Sequence, residues 1–267
     1  MTAQTRSEIA GLLSRHGLSP SRRLGQHFLA DANITRKIVD VAGVAAEDQV
    51  VEIGAGTGTL TRALAATGAH VVAYEIDAGL LPVLDEVTRD LSVELRFLDI
   101  TDANLAYELT GGRWVMVANL PYNVGTPLVL DALRHVPQIE RFVVMVQKEV
   151  AERLVARPGG KQYGLPSVVT GIHAVGRLAF TVPAQVFYPP PRVESAVVVL
   201  DRVPEPDDAE RAIAIAAAGF NQRRKMLRGA LSGVFDDPAA TLERAGIDPT
   251  ARAEDLFPSD YLTLARA

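Results

Sequence analysis

Val50-Val-Glu-Ile-Gly-Ala-Gly-Thr-Gly-Thr59 is the stretch on which the fold turns. A short apolar run breaks into glycines at 54, 56 and 58, and an apolar-periodic segment comes next at 60–66, which reads as strand, tight turn and helix. Glycine lets the backbone turn sharply and approach a ligand with no Cβ in the way, while the helix behind offers unpaired N–H groups. The pattern therefore predicts a small ligand over the turn. A dinucleotide fits poorly, because its fingerprint wants the third glycine where this chain has Thr59 and does not call for the acid Glu52.

On either side of this stretch helices and strands alternate. Upstream, Ser7 is expected to cap a helix to Arg15 that Gly17 stops, and residues 18–29 read as an ordered basic loop. Asp31 then caps a helix carrying Ile34, Ile38, Val39 and Val41 on one face, ended by Gly43. Downstream, strands are expected at 70–74, 93–97, 114–118 and 142–146, with helices at 78–89, 126–134 and 148–156. Such alternation implies a doubly wound α/β sheet, mostly parallel, with helices on both faces. Two β-rich runs, 178–182 and 195–200, are too close for a helical crossover and should form an antiparallel edge. Val203-Pro-Glu-Pro-Asp-Asp208 reads as a linker to a small, alanine-rich, all-helical domain, giving domains 1–202 and 203–267.

Composition narrows the chemistry. With no cysteine, disulfides and thiolate metal sites are ruled out; His16, His27, His70, His135 and His173 show no paired ligand spacing, so no metal is expected. Met1–Arg6 has no apolar signal core and the longest apolar run, about 212–220, is too short to span a bilayer, so a soluble, cytoplasmic chain with no membrane partner is expected. The net charge of −5 argues against nucleic-acid binding by the whole surface, yet basic residues cluster at Arg22-Arg23 and at Arg223-Arg224-Lys225 with Arg228. Local patches outweigh the sum.

Polar residues fall where strands end. Glu75 closes the second predicted strand 21 positions after Gly54, a spacing at which an acid accepts hydrogen bonds from ribose hydroxyls. Asp99, after the third, is placed to accept from an adenine amine, with Asp102 as a competing candidate and a simple turn-capping role as the alternative. Asn119-Leu-Pro-Tyr122 comes directly after the next strand. An aromatic amine is a poor nucleophile because its lone pair is delocalised into the ring. The Asn119 side-chain oxygen and the Leu120 carbonyl can each accept one N–H and aim that lone pair, with no general base needed. Pro121 stiffens the turn, and Tyr122 offers a stacking face to a base drawn from its stack.

Glu-x-Gly-x-Gly-x-Gly resembles motif I of S-adenosylmethionine-dependent methyltransferases, and Asn-Leu-Pro-Tyr resembles the tetrapeptide of enzymes that methylate adenine N6 in ribosomal RNA. With Leu24-Gly-Gln-His-Phe-Leu-Ala-Asp31, Asn119 through Pro127, Gln147 through Leu154, Phe187 through Ala196 and Phe220 through Arg228, the chain resembles the bacterial small-subunit ribosomal RNA adenine dimethyltransferases nearly throughout. The resemblance implies a Rossmann-like class I methyltransferase that uses S-adenosyl-L-methionine to dimethylate N6 of two adjacent adenosines in the terminal hairpin loop of small-subunit RNA, late in assembly of the immature small subunit. It places Gln26, His27, Leu29, Gly54, Glu75, Asp99 and Asn119 around the cofactor; Gly56, Gly58, Ile76 and Ile100 join that set by adjacency. Arg22, Arg23, Arg223, Arg224, Lys225 and Arg228 are the expected RNA contacts, with a lid beside the cofactor site as the alternative for Arg22 and Arg23; Gln147, Lys148 and Glu149 are given no role in the chemistry, and a monomer is expected.

Four positions depart from the family pattern: His27 for Asn, Gly125 for Ser, expected to loosen the loop, Leu165-Pro166 for Arg-Leu, and Gly229 for Asn. Rival readings are an erythromycin-resistance methyltransferase of large-subunit RNA, whose tetrapeptide more often has Ile at the position of Leu120, and a non-catalytic assembly factor. A nicotinamide oxidoreductase is disfavoured by the glycine register.

Overall fold

Apolar residues in unbroken runs build strands that are covered on both faces, and here they form the centre of one sheet. In the computed structural model, which describes residues 4–122 and 124–267, the strands are β1 (Phe28–Leu29), β2 (Gln49–Ile53), β3 (His70–Glu75), β4 (Val93–Phe97), β5 (Trp114–Asn119), β6 (Ile139–Gln147), β7 (Ala174–Val182), β8 (Phe187–Tyr188) and β9 (Ser195–Arg202). Seven of them make a sheet in the order β4-β3-β2-β5-β6-β9-β7; β1 and β8 pair antiparallel by themselves. The five strands from β4 to β6 run parallel, and β9 lies antiparallel against β6, with Val143 opposite Val199. β7 and β9 are neighbours at the edge, as the two late β-rich runs required, but the chain between them detours through β8. Val50, Val51, Val71, Val117, Val143 and Val199 are buried in the sheet's centre.

Local signals account for most helix ends. Asp31 accepts from the N–H groups of Asn33 and Ile34, and Gly43, at φ 65°, ends the helix Ala32–Ala42. The first helix, Arg6–Arg15, is capped by Thr5 rather than Ser7, because Glu8 sits three residues beyond Thr5 and the two close a reciprocal capping box. The expected helix 78–89 is a 3₁₀ turn, Ala78–Leu80, continued by the α-helix Leu81–Thr88. Strand β6 extends three residues before and one after its expected limits, and the helix after it ends at Leu154.

The chain forms two compact units, one running to Ala151 and including Arg177–Asp201, the other made of Glu152–Gly176 and Arg202–Ala267. The chain thus passes between the units three times, the last time at Asp201–Arg202, and 152–176 belongs with the helical unit. That segment contains the helix Leu165–His173, which the sequence pattern does not predict; Leu165-Pro166 is its first turn, where proline's missing N–H costs nothing. Within the helical unit, Gly171 lies against Pro258, leaving no room for a Cβ, and the Tyr163 hydroxyl donates to the Leu256 carbonyl at 2.7 Å. The apolar run near 212–220 belongs to the helix Ala209–Asn221. Among the described residues no helix is long and apolar enough to cross a membrane.

Candidate cofactor and base site

Strand order reverses on the two sides of β2, with β3 beside it in one direction and β5 in the other, and ligands collect at the carboxyl ends of strands around such a point. Here Gly54 succeeds β2, Glu75 ends β3, Asp99 lies just past β4 and Asn119 ends β5. The four converge on a crevice of adjoining clefts. One is lined by Arg23, Ile53, Gly54, Tyr74, Ile76, Asp99, Ile100 and Pro121; the next by Gln26, His27, Gly56, Glu75, Asn119 and Tyr122; a third by Leu29, Glu52, Thr57, Thr59 and Asn119.

The glycines divide their labour. All three have positive φ, 80° at Gly54, 57° at Gly56 and 78° at Gly58, a region closed to most side chains. A Cβ on Gly54 would lie 3.6 Å from the Asn119 carbonyl, at the floor of the crevice. On Gly58 it would lie 2.6 Å from a methyl of Val87. Gly58 therefore serves helix packing and does not line the clefts, contrary to its expected place among the cofactor contacts.

One carboxylate holds the turn directly. Glu75 is buried and accepts from the N–H groups of Gly56 (2.8 Å) and Asp77 (2.9 Å). Burial pushes its carboxyl above the usual range, and those backbone bonds pull it back. Glu52 is 1% exposed, and among the described residues its Oε2 has no hydrogen-bond partner. Burial pushes it up to about 8, and the nearby Glu75 carboxylate adds to the rise. Asp99 caps the turn, as its alternative reading expected, its Oδ1 accepting from the N–H and hydroxyl of Thr101, which holds it below the usual range, and it also lines the crevice. Its competitor Asp102 lies in a separate hollow bounded by residues 100–106 and 124–136.

The other wall comes from the loop before β1. Gln26 accepts from Ser21 N–H and donates to Asp77, both at 2.7 Å, so its amide orders the loop beside Glu75. His27 Nδ1 donates to the Pro189 carbonyl (2.7 Å), which fixes the tautomer, and its ring stacks on Tyr122 with centroids 5.7 Å apart. Asn119 donates from Nδ2 to the His27 carbonyl at 3.1 Å, which leaves its Oδ1 uncommitted as an acceptor. The Tyr122 hydroxyl is tied to Ser195 Oγ at 2.7 Å, and Leu120, 1% exposed, anchors the turn through its N–H to the Met145 carbonyl. Gly125 does not loosen the loop after the tetrapeptide: it is buried, and a Cβ there would sit 3.2 Å from Val146 and 3.3 Å from Leu120. Asn123 lies outside the described residues.

The basic residues separate. Arg23 lines the crevice and Arg22 is exposed on the turn Ser21–Gly25. In the helical unit Arg223, Arg224, Lys225 and Arg228 are all exposed, and Arg223 is in addition bonded to Glu254 (2.7 Å) and to the Tyr163 carbonyl (3.1 Å). Gly229, exposed with open space around it, tolerates a side chain. Tyr74, Asp77 and Ser195 are site residues that sequence reasoning missed; Ser195 stood in a quoted motif, but nothing in the pattern tied it to Tyr122. Among the described residues no cluster of three or more His, Asp or Glu side chains is placed to hold a metal ion.

A parallel sheet with its glycine turn and strand-end acids at the switch point, closed by an antiparallel strand, defines a class I methyltransferase fold. The comparisons with known proteins narrow this. The model of the family "Ribosomal RNA adenine dimethylase" matches residues 18–267, and the chain belongs to that family. It is 45% identical to the ribosomal RNA small subunit methyltransferase A of Leifsonia xyli subsp. xyli over 97% of this chain and 96% of that one. In three dimensions it resembles the 23S rRNA methyltransferase ErmE, at 26% identity and a TM-score of 0.71 over 90% of this chain and 98% of that one. A dimethyladenosine transferase from Plasmodium falciparum shares the fold, with a TM-score of 0.77 at 24% identity over 89% and 96% of the two chains.

Proposed function

We propose that the chain transfers methyl groups from S-adenosyl-L-methionine to the N6 amines of two adjacent adenosines of small-subunit ribosomal RNA. The observation that carries this reading is the Asn119 amide, whose nitrogen is held by the His27 carbonyl so that its oxygen stays free to accept, in a cleft shared with the glycine turn. The residues present fit the cofactor: Gly54 leaves a Cβ-sized opening, Glu75 suits ribose hydroxyls, Ile76 gives an apolar shelf 48% exposed, and Asp99 with Ile100 borders the space for a purine. When bound, the cofactor supplies an electrophilic methyl on a sulfonium.

The chain's own groups do the rest. Asn119 Oδ1 and the Leu120 carbonyl accept the two N–H bonds of the amine, localising its lone pair for in-line attack. Tyr122, its hydroxyl fixed by Ser195 and one ring contact made by His27, supports the flipped base. The proton leaves to water after transfer. The relatives named for small-subunit RNA favour that substrate, while the likeness to ErmE keeps large-subunit RNA as the competitor. Incubation of both purified ribosomal RNAs and immature small subunits with protein and labelled cofactor, and then mass spectrometry of nucleosides, tests the reading. Dimethyladenosine in the small-subunit RNA is the expected product; label in the large-subunit RNA, or binding without label, would overturn it.

A further inference from the structure

The glycine turn has a partner far away in sequence. Gln4, 6% exposed, donates from its side-chain amide to the Thr57 carbonyl (2.9 Å) and accepts from the hydroxyls of Thr57 and Thr59 (both 2.8 Å). Three of the amide's four hydrogen-bonding positions are thus spent on two residues of the turn. Gln4 precedes the capped helix Arg6–Arg15, which is itself bolted down: Ile9, Leu12 and Leu13 are buried in the core, and Arg15 and His16 meet Glu86. It also lies ahead of the region matched by the family model.

We propose that Gln4 is a positioning residue whose buried amide clasps Thr57 and Thr59, holding the glycine turn in its ligand-accepting shape. Thr57 stands between Gly56 and Gly58, two residues that lose more backbone freedom on ordering than any others. A turn ordered in advance does not charge that loss to the ligand, so the clasp raises cofactor affinity without touching the cofactor. The proposal rests on the cofactor reading given above.

Gln4→Met keeps nearly the same volume and removes all three hydrogen bonds. Measured on the full chain without ligand, amide hydrogen exchange of residues 56–60 should speed up at least about tenfold while β3 and β5 exchange as before. The Kd for S-adenosylhomocysteine should rise about tenfold, equivalent to about 1.4 kcal/mol. The KM for cofactor should rise in step, with kcat at saturating cofactor and KM for RNA within about twofold of wild type. Gln4→Glu, which keeps the acceptor and loses the donor, should fall between, and Thr57→Ser with Thr59→Ser, which keeps both hydroxyls, should stay near wild type. Wild-type exchange and affinity in Gln4→Met would overturn the clasp, as would parallel losses of kcat and RNA affinity, which mark general damage. Failure of the wild-type chain to bind cofactor while exchange still responds to Gln4→Met would instead overturn the cofactor reading.

Discussion

Two turns meet at the crevice, and they are built in opposite ways. Residues 54–58 hold three positive-φ glycines and owe their shape to outsiders: Glu75 holds one N–H, Gln4 clasps two threonines, and Phe28 and Val87 fill the space side chains would need. Asn119–Tyr122 has no glycine. Its shape comes from Pro121 and from the strand bond of Leu120 to Met145, and it spends its side chains on the site. Under the proposed function, the difference follows from what each turn would approach. A ligand lying along the backbone needs side chains absent, whereas an amine that must be held by two acceptors needs one side chain aimed.

The comparison breaks most sharply at the amide that aims. Asn119→Ala should reduce methyl transfer by about 10²–10³-fold, the scale of losing one preorganised hydrogen-bonding group, while RNA affinity measured by filter binding stays within about twofold; equal loss of both would make the residue structural. On the glycine side the expected effect is on folding. Gly58→Ala forces a Cβ to 2.6 Å from Val87 at a φ of 78°, so denaturant unfolding should show a loss of about 2–3 kcal/mol.

A third difference is electrical, since only the glycine turn is preceded by a buried acid. Glu52 holds its proton up to about pH 8 in the folded chain, whereas it ionises above about 4.5 once unfolded. Folding then takes up a proton, so this group's contribution to stability falls as pH rises between those values. The loss is at most about 1.4 kcal/mol per pH unit. Glu52→Gln should flatten the decline in unfolding free energy between pH 6 and 7; an unchanged slope would refute the assignment.

The smallest effect concerns the helical unit. Replacing Arg224 and Lys225 by Ala should reduce the slope of log binding constant against log salt by about one to two. Arg223→Ala, whose partners are Glu254 and Tyr163, should lower stability by about 0.5–1 kcal/mol and leave that slope nearly unchanged.

How legible each part was depends on the range of the interactions involved. The sheet could be read because central strands are continuous apolar runs and the turns between them carry glycine, aspartate or proline. Glu75 and Asn119 could be read because a strand's end is marked in sequence. Helix Leu165–His173 escaped because it is buried on nearly every side, Ser167, Thr170 and His173 included, so no polar face gives it a period. Gln4, Ser195 and the commitment of Arg223 escaped for another reason: their partners lie 53, 73 and 31 positions away. A run of basic residues shows charge, and only the fold shows which charges are already taken.

The chain's repeated passage between its units constrains the order in which it can be made. Residues 152–176 emerge before β9, yet the helix Leu165–His173 packs against Ala209–Asn221 and Pro258–Arg266, which are synthesised later. A nascent polypeptide released as far as residue 203 would own a finished sheet and an orphaned, apolar helix. An apolar face left waiting for its partners is the physical cost of interleaving two modules along one polypeptide.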